Sequence, residues 1–385
     1  MQNPPHTIAS HRHPLAGYRR VPVWVWAFLA HEALIVLAYI IPYPDYSGVL
    51  HRAFGALGHF WFQWDALWYI AISRYGYAHL PGVPALAGTA FFPWLPVLIR
   101  GVGVWGAWGL TQLSTIVSLW LFVRIGARLE FSVKQIGWAT FLFALNPAAV
   151  YFSTLYAEPW TVCFTLVSVD FGHRQRWFWA ALTGLLAATT QATGILVGLF
   201  PLVAFLAWIR AKHWRQALGA FLWGVGPFIG LVSYAVYLGI RFQRPLLFAS
   251  VQSSRYWDGN WKWPWIQWFQ GLTTGLQSPA HRIVLALWLA ITCFVLGAAL
   301  LIRSARAGIA SAQTTIYGVA GLMVSLSFFH GSSPLYSTVR IASIYFPLYL
   351  GIARGPRWLT ISALGFFACL AFYGATLFTH LWWYQ

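Results

Sequence analysis

Two carboxylates stand out because acidic residues are rare in this chain. Its 385 residues include only seven Asp and Glu, against 24 Lys and Arg. Asp65 lies among tryptophans in "FQWDALWYIAISRYGY", and Glu158 ends "NPAAVYFSTLYAE". A carboxylate held against aromatic rings is partly desolvated and becomes more basic, which suits a general base. Two structural interpretations stay open: Asp65 caps its own helix or pairs with Arg74, and Glu158 is a first-turn acid of the next helix.

Cations suited to an anionic ligand lie in the same regions. Arg255 belongs to "FQRPLLFASVQSSRYWDGNWKWPWIQW", residues 242–268, where cations and amides alternate with tryptophans. This mixture suits the apolar face of a sugar and the charge of a phosphate. An interfacial aromatic belt would also produce most of these tryptophans. Arg340 begins an apolar segment, where a charge either binds an anion or reaches back to the interface.

The composition is that of a membrane protein. The chain is 59% hydrophobic and 8% charged, whereas soluble domains carry about 25% charged residues. Apolar runs near the ~20 residues that cross a bilayer recur along its length. We predict an all-α polytopic membrane protein with about 11 transmembrane helices, a tail of residues 1–21 and one domain of residues 22–385. The predicted spans are about 22–42, 107–125, 136–154, 160–173, 177–191, 194–210, 217–239, 283–302, 312–329, 339–353 and 358–379.

The basic residues predict the topology. The net charge is +17, but the cations are scattered between apolar segments, which argues against nucleic-acid binding. Six basic clusters fall on one side of the predicted spans, and that side is expected to be cytoplasmic. The other side carries the long loops of residues 43–106 and 240–282. It also holds four of the seven acids, which are Asp45, Asp65, Glu158 and Asp258. Glu130 and Asp170, beside cytoplasmic cations, are expected to be solvated.

No motif indicates a cofactor or a metal. Cys163, Cys293 and Cys369 lie inside apolar runs without metal-ligand spacing, so neither a disulfide framework nor a zinc site is expected. The chain has no glycine-rich nucleotide loop and no Asp-x-Asp pair. The first residues lack the order of a signal peptide.

Four segments resemble, in order, the signature of the PIG-V family, the second GPI mannosyltransferases and their prokaryotic relatives. They are "WDALWYIAISRYGY" with "AFFPWLPVLIR", "NPAAVYFSTLYAEPW", "RPLLFASVQ" through "WPW", and "VRIASIYFPLYLGIA", and they run over residues 64–353. At residues 191–194 the chain departs from the family. It reads Gln-Ala-Thr-Gly where relatives often have an arginine followed by x-Thr/Asn-Gly.

The resemblance implies a GT-C glycosyltransferase with a large first extracytoplasmic loop that contains interfacial helices. Such an enzyme moves a sugar, most often mannose in this family, from a polyprenyl phosphate to an acceptor hydroxyl, with inversion and on the extracytoplasmic face. Asp65 matches the first-loop aspartate that is the usual catalytic candidate, and Glu158 is the second candidate. Because residue 191 is not an arginine, Arg255 or Arg340 would have to hold the phosphate.

The expected ligand contacts follow from this activity. The leaving phosphate needs cations, for which the candidates are Arg74, Arg255 and Arg340. The expected substrate-binding residues are Trp64, Trp68, Tyr69, Gln252, Trp257 and Trp263. The expected partners are membrane lipids, the lipid-linked donor and a glycan, glycolipid or protein acceptor, with no cofactor and no metal. The predicted location is a prokaryotic plasma membrane, and the oligomeric state is left open.

Two other classes of protein remain possible. A transporter or flippase of lipid-linked sugars would also be polytopic and basic, and it should show internal repeats and charges in mid-span. A membrane-bound acyltransferase would need a site centred on histidine, whereas His51, His59 and His330 are dispersed over the external loops.

Overall fold

The computed structural model describes residues 22–40, 61–78, 80, 82–277, 281–305, 308–330, 334–335 and 337–380. The predicted tail of residues 1–21 and residues 43–60 of the first long loop, with Asp45, lie outside these ranges. About four fifths of the described chain is helical.

Sixteen α-helices follow one another in the described part of the chain. They are α1 Val23–Ile40, α2 Asp65–Tyr75, α3 Trp94–Arg128, α4 Val133–Ala144, α5 Val150–Ser153, α6 Glu158–His173, α7 Trp177–Thr190, α8 Leu199–Arg210, α9 Trp214–Phe242, α10 Leu247–Ser250, α11 Pro264–Gln277, α12 Arg282–Arg303, α13 Ile309–Ser327, α14 Thr338–Ala342, α15 Pro347–Ala353 and α16 Arg357–Thr379. Three 3₁₀ turns occur at Ala87–Ala90, Ala192–Gly198 and Val251–Ser253. Two short strands, β1 Gly259–Trp261 and β2 Phe328–His330, pair antiparallel.

The predicted all-α polytopic architecture is confirmed. Each of the 11 predicted spans coincides with a helix or with a pair of consecutive helices. Seven segments of the described chain are long and apolar enough to cross a membrane. The other four predicted spans are shorter. Breaks at residues 145–149 and 343–346 divide two of them into pairs of helices, and the other two are single helices of 16 and 14 residues. The first loop also ends earlier than predicted, since α3 begins at Trp94 and kinks at Gly103.

Helix α6 forms the centre of the packing. Thirteen of its residues are buried, and it contacts α3 and α7. Small residues let its neighbours approach closely: a side chain at Gly226 of α9 would overlap the Ala181 carbonyl of α7. Such small-residue contacts drive helix association in membranes. The core forms two buried clusters, and the second joins α2 to α5, α6 and α16.

Ion pairs divide the charged residues between two ends of the bundle. Asp65, Glu158 and Arg340 meet at one end. At the other, Asp170 contacts Arg128, Arg174 and Arg124 at 2.7, 2.9 and 3.8 Å. These contacts agree with the predicted separation of Asp65 and Glu158 from Asp170, whereas the choice of the cytoplasmic end stays a prediction. The expectation that Asp170 is solvated is wrong, because only 8% of its side chain is exposed and three arginines surround it.

Candidate active site

Asp65 is the first residue of α2, and the backbone before it is strained. Trp64, at the N-cap, has a φ of 53°, a conformation that costs a bulky residue about 1–3 kcal/mol and that often marks a functional site. The Asp65 N–H donates to the Tyr156 hydroxyl at 3.1 Å, and that hydroxyl donates to the Gln63 carbonyl at 3.3 Å. The strained turn is thereby tied to the segment that precedes Glu158.

Glu158 owes its position to a break in the chain. Helix α4 ends at Ala144, and the Asn146 side chain then donates to the Phe143 carbonyl and accepts from the Ala148 N–H. The short helix α5 follows, and α6 begins with Glu158 and Pro159. Proline is well suited to the first turn of a helix. The first-turn interpretation of Glu158 is therefore correct, and it is compatible with a role in the site.

Arg340 lies between the two carboxylates and joins three distant parts of the chain. Its Nη1 is 2.7 Å from Asp65 Oδ2, and its Nε is 2.5 Å from Glu158 Oε1. The rings of Tyr151 and Tyr156 each lie 4.8 Å from the guanidinium carbon. All three charged side chains are largely buried, with 14%, 3% and 12% exposed for Asp65, Glu158 and Arg340. The partner of Asp65 is thus Arg340, and not Arg74 as the alternative interpretation had it.

Several polar atoms of this cluster have no hydrogen-bond partner among the described residues. They are Asp65 Oδ1, Arg340 Nη2 and Glu158 Oε2, the last of which is also shielded from solvent. The cluster therefore presents two acceptors and one cationic donor. That set is suited to hydroxyl groups and to an anionic oxygen.

Aromatic residues of both long loops form a wall next to Asp65. Trp68, one turn along α2, lies 5.3 Å from the rings of Phe91 and Trp257 and 5.9 Å from that of Tyr256. The Trp257 indole donates to the Ala87 carbonyl at 3.2 Å. The two loops, predicted to act together, are thus in contact.

The other predicted site residues are more peripheral. Tyr69 is buried one turn after Asp65, whereas Arg74 is exposed in the last turn of α2, about half a turn around the helix from Asp65. Arg255 is exposed but directly precedes Tyr256 and Trp257 in the aromatic wall. Within the described residues, neither Gln252 nor Trp263 forms a hydrogen bond or an ion pair with either carboxylate. Trp263 is 65% exposed and stacks on Trp265. The phosphate and sugar roles of these residues stay predictions.

Tyr151 and Tyr156 were missed by sequence reasoning. Their signal was present in "VYFSTLYAE", where two tyrosines precede the glutamate within one short segment. A second polar cluster lies in the same break: Ser153 Oγ is 2.7 Å from His31 Nε2 and donates to Glu32 at 2.9 Å. Glu32, inside α1, is therefore an intramembrane partner of a buried histidine and serine.

Across the described residues, no group of three or more His, Cys, Asp or Glu side chains is arranged to hold a metal ion. The prediction that the activity needs no metal and no cofactor remains a prediction.

Comparisons with known proteins leave the family of this chain open. No family model matches, and no curated protein matches. Among solved structures, the chain is similar to a crystal structure of ArnT from Cupriavidus metallidurans bound to undecaprenyl phosphate, with 16% identity and a TM-score of 0.44. The match covers 86% of this chain and 60% of that protein, so the chain spans less than two thirds of its length.

Proposed function

We propose that this protein is a GT-C-type glycosyltransferase that moves a sugar from a polyprenyl phosphate to an acceptor hydroxyl. The observation that carries the proposal is the convergence of Asp65, Glu158 and Arg340. They come from three of the segments that resemble the PIG-V signature, and they form one buried cluster in which acceptor and donor atoms have no partner among the described residues. The family resemblance favours mannose as the sugar and the extracytoplasmic face as the place of reaction.

The atoms of the cluster suggest the following inverting reaction. The acceptor hydroxyl attacks the anomeric carbon, and its proton passes to Asp65 Oδ1. The bond between that carbon and the phosphate oxygen breaks, and its electron pair leaves with the polyprenyl phosphate. Arg340 Nη2 stabilises the leaving oxygen, with Arg255 as the next cation of the second loop. A phosphate at Nη2 also weakens the hold of Arg340 on Asp65 and frees that carboxylate for the acceptor.

The Asp65→Asn variant tests this assignment. Asparagine keeps the shape but cannot take the proton, so turnover should fall by about 10²–10⁴-fold. The assay follows radiolabel from polyprenyl-phosphate mannose into product in liposomes that contain the purified protein, with host membranes as the acceptor source. Asp258→Asn is the matched control, because Asp258 is exposed on the second long loop with a φ of 49°, which asparagine tolerates.

The possible outcomes separate the roles of the two acids. An active Asp65→Asn variant beside an inactive Glu158→Gln variant would make Glu158 the base. Full activity in both variants would refute the assignment of this cluster.

A transporter of lipid-linked sugars is the second candidate. The observation that favours it is the ionisable pair His31 and Glu32 in the middle of α1, 3.6 Å apart, because charges in mid-span mark transport pathways. In the same liposomes, a transporter would carry labelled donor to the other leaflet without consuming it.

A further inference from the structure

One oxygen of Glu158 is buried without a partner. Oε1 contacts Arg340, whereas Oε2 is shielded from solvent and has no hydrogen-bond partner among the described residues. Asp170, the other buried acid that arginines surround, differs in its charge partners: arginine nitrogens lie 2.7 and 2.9 Å from its Oδ1 and Oδ2, although Oδ1 also forms no hydrogen bond among the described residues. Buried polar atoms are nearly always satisfied, so an exception at a polar site calls for an explanation such as a ligand.

Tyr69 supplies a complementary donor in the buried cluster that also contains Tyr156, Ala157 and Trp160, the residues around Glu158. It follows Asp65 by one helical turn on the same face of α2, and it is 4% exposed. Its hydroxyl has no hydrogen-bond partner within the described part of the chain, and its ring contacts Phe91. Burial raises the pKa of Tyr69 well above its ordinary value, and the charges of Glu158 and Asp65 add to this effect. The hydroxyl therefore stays protonated and can donate.

We propose that Glu158 Oε2 and the Tyr69 hydroxyl together bind one hydroxyl group of the sugar on the lipid-linked donor. That group donates to the carboxylate and accepts from the phenol, which satisfies both protein atoms. This inference rests on the proposed function, and it makes Glu158 a residue that selects the sugar, beside Asp65 as the base.

Glu158 is more deeply buried than Asp65, and this difference favours the donor sugar over the acceptor as the ligand of the subsite. Glu158 keeps 3% of its side-chain surface exposed, whereas Asp65 keeps 14%. An acceptor that arrives after the donor reaches the more open carboxylate. The deeper atoms contact the group that fills the site first.

Binding of donor analogues tests the subsite directly. The probes are polyprenyl phosphate, its mannosyl, glucosyl and galactosyl forms, and the monodeoxy analogues of the sugar that binds best. Tryptophan fluorescence of the full-length protein in detergent reports binding, since Trp64 and Trp68 flank the site. Loss of a hydroxyl that pairs with a charged group should weaken binding by about 10- to 100-fold for one deoxy position and little for the others.

Two variants link that position to the two residues. Tyr69→Phe removes only the phenolic oxygen and keeps the buried ring. Glu158→Gln can keep an oxygen towards Arg340 but replaces the free acceptor with a donor. Each variant should weaken binding of the lipid whose sugar carries all its hydroxyl groups. Each should have little effect on binding of the deoxy analogue that already lacks the hydroxyl group bound by Glu158 and Tyr69. Tyr77→Phe is the matched control, since its hydroxyl donates to the Phe91 carbonyl at 3.0 Å, and it should keep the wild-type discrimination.

The inference is overturned if the sugar-bearing lipids bind wild type no more tightly than polyprenyl phosphate, or if Tyr69→Phe weakens all analogues equally. If the protein shows the expected binding pattern but transfers no sugar, the subsite is supported and the transferase activity is refuted. If it transfers sugar but binds all the deoxy analogues equally, the transferase activity is supported and the subsite is refuted.

Discussion

Replacement of Arg340 by alanine tests whether the three charged residues act as one electrostatic unit. The change removes two ion pairs and two ring contacts at once. It leaves Glu158 and Asp65 as neighbouring, largely buried carboxylates without a counter-charge. Loss of one partner of a buried ion pair costs about 3–5 kcal/mol. We therefore expect the free energy of unfolding of Arg340→Ala to fall by at least that amount.

The reasoning also predicts a rescue. If the loss comes from unpaired charge, Asp65→Asn and Glu158→Gln in the Arg340→Ala background should restore much of the stability, because they remove the buried charges. Unfolding of the detergent-solubilised protein, followed by tryptophan fluorescence, gives the free energies. Arg74→Ala is the control, because this arginine is exposed on the same helix as Asp65, and its loss should change stability by no more than about 0.5 kcal/mol.

Two results would refute this account. The first is an Arg340→Ala variant as stable as Arg74→Ala, which would mean that solvent or lipid already compensates the carboxylates. The second is a deeper loss on addition of the neutral substitutions, which would mean that packing of the arginine, and not its charge, stabilises the site.

Three further predictions concern the scaffold. His31→Ala removes two buried hydrogen bonds, to the Ala144 carbonyl and to the Ser153 hydroxyl, so the free energy of unfolding should fall by about 2–4 kcal/mol; an unchanged value would show that the cluster is hydrated. Gly226→Ala should destabilise through its overlap with α7, whereas Gly109→Ala, which has open space around it, should be neutral or slightly stabilising in the same unfolding measurement. With the native cysteines replaced, Asn260→Cys should react with an impermeant thiol reagent from outside and Ala211→Cys should not, both positions being exposed; the reverse pattern would invert the topology.

The sequence was sufficient for the helices and for the three charged residues that meet in the buried cluster. Helix predictions succeeded because long apolar runs in a bilayer must satisfy their backbone groups internally. Asp65, Glu158 and Arg340 were found because charge is costly in such a chain, so each of the few charged residues outside the basic clusters carries information. Their placement on one face followed from counting spans.

The pairing within the site could not be read from the sequence. Arg74 is closer to Asp65 along the chain than Arg340 is, and a local pair within one helix was a reasonable alternative. Nine residues of an α-helix turn the chain through two and a half turns, so Arg74 faces away from Asp65. The partner comes from far along the sequence instead, because the Arg340 side chain of α14 contacts both Asp65 and Glu158 at the start of α6. Asp170 was misjudged for the same reason. Its arginines come from the ends of two helices, and only the packing of α3 on α6 brings them together.

The two buried acids show how much of the functional argument depends on individual atoms. Asp170 and Glu158 are both carboxylates beside arginines, and composition, burial and charge do not distinguish them. Asp170 has an arginine nitrogen 2.7 Å from Oδ1 and another 2.9 Å from Oδ2, so each of its oxygens has a counter-charge. Glu158 shares its one arginine with Asp65 and leaves an acceptor unused. Since an unused buried acceptor destabilises the fold, its presence in the same cluster as Asp65 is better explained by a ligand than by stability.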